Sequence, residues 1–194
     1  MKNKNIHNVV ISALFLAIGI VLPFLTGQIP QIGSMLLPLH IPVMLCGLVC
    51  GWKYGLAIGG TLPILRSLMF GMPPLYPAAL AMAFECAAYG ATVGFLFEKA
   101  KWKCLRSLYR SLIVAMILGR VVWGGVMFAL VGIGGGMFTF SAFITGAFLN
   151  AIPGIILQLV LIPSVMLLFH KTHLVKLASG GQSKKYSHKE KYKN

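Results

Sequence analysis

Six stretches of this chain are apolar and long enough, or nearly so, to cross a lipid bilayer: 8–26, 38–52, 54–70, 75–97, 108–132 and 140–169. Crossing the hydrocarbon core takes about 20 largely apolar residues in a helix. The pattern therefore predicts an all-α integral membrane protein with six transmembrane helices. The second stretch is short, spanning about 22 Å at roughly 1.5 Å per residue. The sixth is long, and Pro153 and Pro163 are expected to kink it. Composition agrees, since apolar residues make up 58% and charged residues 10%, where soluble domains carry about 25% charged residues. The first stretch runs on without a small-residue cleavage site, which predicts a retained helix and not a signal peptide.

Charge placement predicts the orientation. Lys2 and Lys4 precede the first stretch, and Lys53 lies between the second and third. Lys99, Lys101, Lys103, Arg106 and Arg110 lie between the fourth and fifth, and the remaining lysines, Lys171 to Lys193, follow the sixth. The other loops, 27–37, 71–74 and 133–139, hold no Lys or Arg. All of the 17 basic residues except Arg66 and Arg120 thus fall on one side. The positive-inside rule makes that side cytoplasmic, with both termini inside and Trp52, Tyr54, Trp102 and Tyr109 in an inner aromatic belt. Two regions follow: a transmembrane domain over 1–170 and a basic tail over 171–194, read as disordered and lying on the membrane surface. A net charge of +14 invites a nucleic-acid reading, but topology and attraction to anionic inner-leaflet lipid account for it. No nucleic-acid partner is expected.

Enzyme chemistry finds no footing in the motifs. Cys46 and Cys50 are four apart, but no His or acid completes a ligand set, and Cys86 lies alone in an apolar run; neither a metal site nor a disulfide framework is expected. The glycines of "GIGGGM" at 132–137 lack the lysine of a phosphate loop. No cofactor is implied.

What remains is a small polar set inside the spans: His40, Arg66, Glu85, Arg120, Asn150 and Gln158. An ionisable residue at such depth costs about 2.5–3.5 kcal/mol on insertion scales, so it faces a partner or a cavity. One reading is a structural ion pair of Glu85 with Arg120 or Arg66. Two arginines and one carboxylate do not cancel, however, and an arginine fork grips a carboxylate through two hydrogen bonds. The surplus points to a pocket for an anionic or strongly polar ligand. The outward-facing loops "TGQIPQIGSMLLPLHIP" and "GMPPLYP" supply a flap and a rigid turn, the latter carrying Tyr76 to stack on a flat ring. His40, Arg66, Tyr76, Glu85, Arg120 and Asn150 are the expected pocket residues, with Glu85, near the middle of the fourth span, as the group that fixes an arginine. Ala13 and Ala17 form a small-x-x-x-small pair that admits a close neighbouring helix. Glycines 47, 51, 55 and 59 repeat every four residues, although the loop around Lys53 interrupts their face.

The six spans, the size near 21.0 kDa, Ala13-x-x-x-Ala17 and the stretch from "LPLHIPVMLCGLVCGWKYG" to "AMAFECAAYG" resemble the substrate-binding S-component of an energy-coupling factor (ECF) vitamin transporter. The resemblance covers residues 8 to 170 and is most specific over 36–95. It implies capture of a water-soluble vitamin under the loop 27–37 and transport driven by two cytosolic ATPase subunits through a transmembrane coupling subunit. It also implies that Ala13 and Ala17 meet that subunit. The nearest branch is that of pantothenate transporters, with hydroxymethylpyrimidine, pyridoxine and folate transporters nearby. Two other readings compete: a stand-alone secondary carrier with Glu85 as its coupling site, and a membrane scaffold in which the charges are purely structural. Inverted repeats, the usual mark of a carrier, are absent from the sequence.

Overall fold

The computed structural model describes residues 2–26, 38–100, 104–133, 139, 145 and 151–171. Among these are six α-helices and no strand: α1 (Lys2–Val21), α2 (His40–Cys50), α3 (Trp52–Phe70), α4 (Leu80–Lys99), α5 (Leu105–Ile133) and α6 (Ile152–Lys171). The flap 27–37, Trp102, Asn150 and the tail beyond Lys171 lie outside the described residues.

Prolines and glycines set the helix ends. Pro23 has no N–H for the preceding turn, and α1 tightens there into a 3₁₀ turn, Leu22–Thr26. Pro42 is the third residue of α2, where the missing N–H has no helical acceptor to lose. Gly51, at φ 102, alone links α2 to α3, a conformation that only glycine adopts without strain. Lys53 is therefore in the first turn of α3 and not in a loop. The segment after α3 carries three prolines and folds into a wide turn, Leu75–Ala79, so regular helix begins only at Leu80. The expected fourth span, from residue 75, takes in this turn as well and agrees with the membrane-crossing segment Leu75–Lys99. Glu85 stands near the middle of that segment and in the second turn of α4, about 8 Å from where regular helix begins. The sixth helix begins at Ile152, which puts Pro153 in its first turn and leaves only Pro163 inside.

Among the described residues, four segments are long and apolar enough to cross a membrane: Asn5–Phe24, Leu75–Lys99, Leu105–Ile133 and Ile152–Lys171. With 19 residues α3 has the length, but Lys53, Thr61, Arg66 and Ser67 dilute its apolar character. The short α2 rises only about 16 Å and is buried along its whole length except at Val49. It is a central rod, packed against α1, α3, α4 and α6.

The closest packing joins α2, α3 and α4 backbone to backbone. A methyl on Gly47 would lie 2.4 Å from the Gly90 carbonyl oxygen, and one on Gly59 would lie 2.3 Å from that of Cys86. A methyl on Gly90 would meet the Gly55 oxygen at 2.3 Å. The sharp turn at Gly51 brings Gly47 and Gly55, on successive helices, onto the same face of α4. This is the small-residue packing that lipid favours, because no hydrophobic driving force draws helices together there. It holds α4 rigidly against the helix that carries His40.

Candidate functional site

Glu85 projects from α4 into the bundle and is 1% exposed. Its Oε1 lies 2.9 Å from Nη1 of Arg120 on α5, and its Oε2 lies 3.5 Å from Nε2 of His40, the first residue of α2. All three side chains are buried. One turn further along α4, Tyr89 meets the His40 ring edge-to-face at 5.0 Å and directs its hydroxyl to the Met116 carbonyl at 3.4 Å. Gly119 makes room for that ring: a methyl there would sit 2.8 Å from the ring's Cζ. Three helices thus converge on one carboxylate.

The cluster is rich in unused donors. Nε and Nη2 of Arg120 are buried donors with no hydrogen-bond partner among the described residues; Oε1 of Glu85 and both ring nitrogens of His40, one of them 3.5 Å from Glu85, likewise make no hydrogen bond. On α6, the Gln158 amide nitrogen is in the same state, with Gln158 1% exposed. A buried donor without an acceptor costs about 1–3 kcal/mol, and native proteins hold few such groups.

Arg66 is placed quite differently. Its Nη1 donates to the Ile20 carbonyl at 2.8 Å, and its guanidinium stacks 5.4 Å from the Phe24 ring centre and 5.5 Å from that of Phe70. It clasps the end of α1 to the end of α3 and makes no ion pair among the described residues. Of the two expected partners for Glu85, the structure selects Arg120. Tyr76, in the wide turn before α4, is half exposed and donates its hydroxyl to the Leu130 carbonyl on α5.

At the opposite end of α3, Lys53 lies 5.7 Å from the Trp52 ring, Trp52 meets Phe95 at 6.5 Å, and Lys99 lies 4.3 Å over Phe95. Ala13 and Ala17 are exposed on α1, within an apolar face that includes Val10, Leu14, Ile18 and Val21. The four cysteines are free, and no group of metal-ligating side chains occurs among the described residues.

The structure gathers His40, Glu85 and Arg120 and sets Arg66 apart; Asn150 falls outside the described residues. Tyr89 was missed by the sequence reading, although its spacing of four from Glu85 puts both on one helical face. Gln158 was noted as polar within a span but not assigned to the site.

Apolar helices of membrane-crossing length around an enclosed, donor-rich polar cluster define a multi-pass membrane protein equipped to hold a small polar molecule. The comparison with protein families makes this specific. The family model "ECF transporter, substrate-specific component" matches residues 7–166, and the chain belongs to that family. Such a chain is the substrate-binding subunit of a transporter, with a small-molecule substrate and ECF module partners, and not an enzyme. No curated protein and no solved structure matches the chain.

Proposed function

We propose that this S-component captures a water-soluble vitamin, with pantothenate as the favoured ligand, for ATP-driven uptake through a coupling subunit and two cytosolic ATPases. Hydroxymethylpyrimidine, pyridoxine and folate are the other ligands to test. The observation that carries this reading is the buried Nε and Nη2 of Arg120, which have no hydrogen-bond partner among the described residues, beside His40 and Glu85. A ligand with oxygen acceptors satisfies them. His40, Glu85 and Arg120 form the pocket floor, with Tyr76 and Asn150 as further pocket residues, while Arg66, expected in the pocket from the sequence, serves as the clasp between α1 and α3.

In this reading six helices cross the membrane, residues 1–170 form the binding domain, and 171–194 form a basic tail. Both termini are cytoplasmic. The pairs Lys53–Trp52 and Lys99–Phe95 support that orientation, since basic and aromatic side chains together suit the inner interface. The pairing of Glu85 with Arg120 favours an ionised, structural carboxylate over the proton-coupling site that a secondary carrier would need.

Mass spectrometry of small molecules carried by the purified protein tests the ligand, and co-purification with ATPase subunits tests the assembly. A bound molecule that is no water-soluble vitamin, or uptake that collapses with a protonophore at constant cellular ATP, overturns the respective half. The exposure of Ala13 and Ala17 supports their proposed role as a seat for the coupling subunit. Ala13→Trp with Ala17→Trp is expected to abolish uptake and loosen the complex while leaving pantothenate affinity in detergent unchanged. Normal uptake by that double variant would remove the interface assignment.

A further inference from the structure

The arrangement of nitrogens at Arg120 narrows the ligand's chemistry. A guanidinium offers five N–H donors in a fixed planar fork. Glu85 occupies Nη1. The donors left over, Nε and Nη2, form the side edge of the fork, where two N–H bonds run parallel. That edge matches the two oxygens of a planar carboxylate, which it binds through paired, charge-assisted hydrogen bonds. It matches a single hydroxyl or ring nitrogen poorly, because one acceptor leaves the second donor buried and unsatisfied.

Charge points the same way. Glu85 and Arg120 cancel, so a second carboxylate would leave the enclosed cluster negative unless another group were positive. His40, 3.5 Å from Glu85, is the neighbour able to carry that charge. With His40 as an imidazolium the three groups sum to one positive charge, and a carboxylate restores neutrality.

We infer that the site is specific for a ligand carrying a carboxylate, bound two-pronged on the Nε–Nη2 edge of Arg120, with Glu85 as the positioning residue that holds this edge open. The inference rests on the vitamin-capture reading but does not depend on pantothenate being the vitamin. It separates the candidate ligands chemically: pantothenate and folate carry a carboxylate, whereas hydroxymethylpyrimidine and pyridoxine do not.

The test uses the full chain purified in detergent, with calorimetric titration of those four compounds and of the alcohol in which CH₂OH replaces the pantothenate carboxylate. Binding confined to a carboxylate-bearing compound supports the inference, with the pantothenate alcohol binding roughly 10- to 150-fold more weakly than pantothenate where pantothenate is the ligand. Folate binding in place of pantothenate removes the favoured vitamin and leaves the carboxylate inference standing. Tight binding of a neutral compound, equal binding of pantothenate and its alcohol, or failure of every carboxylate to bind overturns it. Arg120→Lys keeps the charge but lacks the fork, and it is expected to erase most of the preference for the carboxylate. Arg120→Gln leaves Glu85 an unpaired buried anion and is at risk of misfolding. The double variant Glu85→Gln with Arg120→Gln removes both charges and is expected to bind pantothenate and its alcohol alike. Retained discrimination in both Arg120→Lys and the double variant overturns the inference as well.

Discussion

Arg66 and Arg120 are buried to the same degree, each 4% exposed, yet the protein accommodates them in opposite ways. Arg66 is met by a backbone carbonyl and the faces of two aromatic rings. Arg120 is met by a carboxylate at one nitrogen, with its other two nitrogens unsatisfied among the described residues. Counting charges treats the two as equivalent claimants on Glu85 and on an anionic ligand. The geometry does not. An arginine whose donors and π-face are already engaged fastens helices together, whereas one with a free parallel edge is prepared for something that has yet to arrive. Burial alone says nothing about which role an ionisable residue plays; the satisfaction of each nitrogen does.

The largest effect is expected at Glu85. Glu85→Gln leaves the Arg120 cation buried without a counter-charge, and breaking a buried pair in this way costs about 3–5 kcal/mol. The thermal midpoint of the purified protein should fall sharply. Without Glu85 the Arg120 edge is no longer held in position, so pantothenate should raise the midpoint of Glu85→Gln by less than it raises that of the wild type. An unchanged midpoint in Glu85→Gln would show that the ion pair contributes little and would remove the contrast between the two arginines.

Next comes Arg66. Arg66→Gln gives up a charge-assisted bond to the Ile20 carbonyl, a loss of about 1.5–3 kcal/mol. The clasp between α1 and α3 should loosen, seen as faster amide exchange at the end of α1. The preference for pantothenate over its alcohol should survive, because Arg66 lies outside the Glu85 cluster. Loss of that preference in Arg66→Gln would place Arg66 in the ligand site after all and merge the two regions.

Much of this was legible in the sequence, and the gaps have physical causes. Long apolar runs declare themselves, because lipid leaves the backbone no alternative to a helix that bonds to itself. That Glu85 pairs with a buried arginine was legible because a buried carboxylate demands a cation, but whether with Arg120 or Arg66 was left open. The clasp at Arg66 was not legible, since a backbone carbonyl such as that of Ile20 leaves no mark in sequence. The four-residue glycine spacing from 47 to 59 was visible, but it reads as one interrupted helical face. Only the turn at Gly51, with φ 102, shows that Gly47 and Gly55 sit on two helices facing one partner, α4. The expected start at residue 75 coincides with that of the membrane-crossing segment Leu75–Lys99; what the sequence left hidden is the wide turn Leu75–Ala79 that opens it, before regular helix from Leu80.

The smallest effect tests whether the aromatic rings around Arg66 belong to the clasp. Phe24 and Phe70 meet edge-to-face at 5.0 Å, and the guanidinium lies within 5.5 Å of both ring centres. Both rings are partly exposed, at 42% and 37%, so each cation–π contact is worth about 0.5–1 kcal/mol, and the ring pair about 0.5–1.5 kcal/mol beyond the area it buries. Phe70→Leu keeps an apolar side chain and removes both contributions, so it should destabilise the protein by about 1–2.5 kcal/mol. The informative measurement is the same substitution in an Arg66→Gln background. If the guanidinium and the rings act together, the cost of Phe70→Leu should shrink there to the ring-pair part alone, and the difference is the coupling energy. An equal cost in both backgrounds would mean that Arg66 rests on the Ile20 carbonyl only. One arginine would then be held by a single hydrogen bond and the other by a single ion pair, and the distinction between them would rest entirely on the open edge of Arg120.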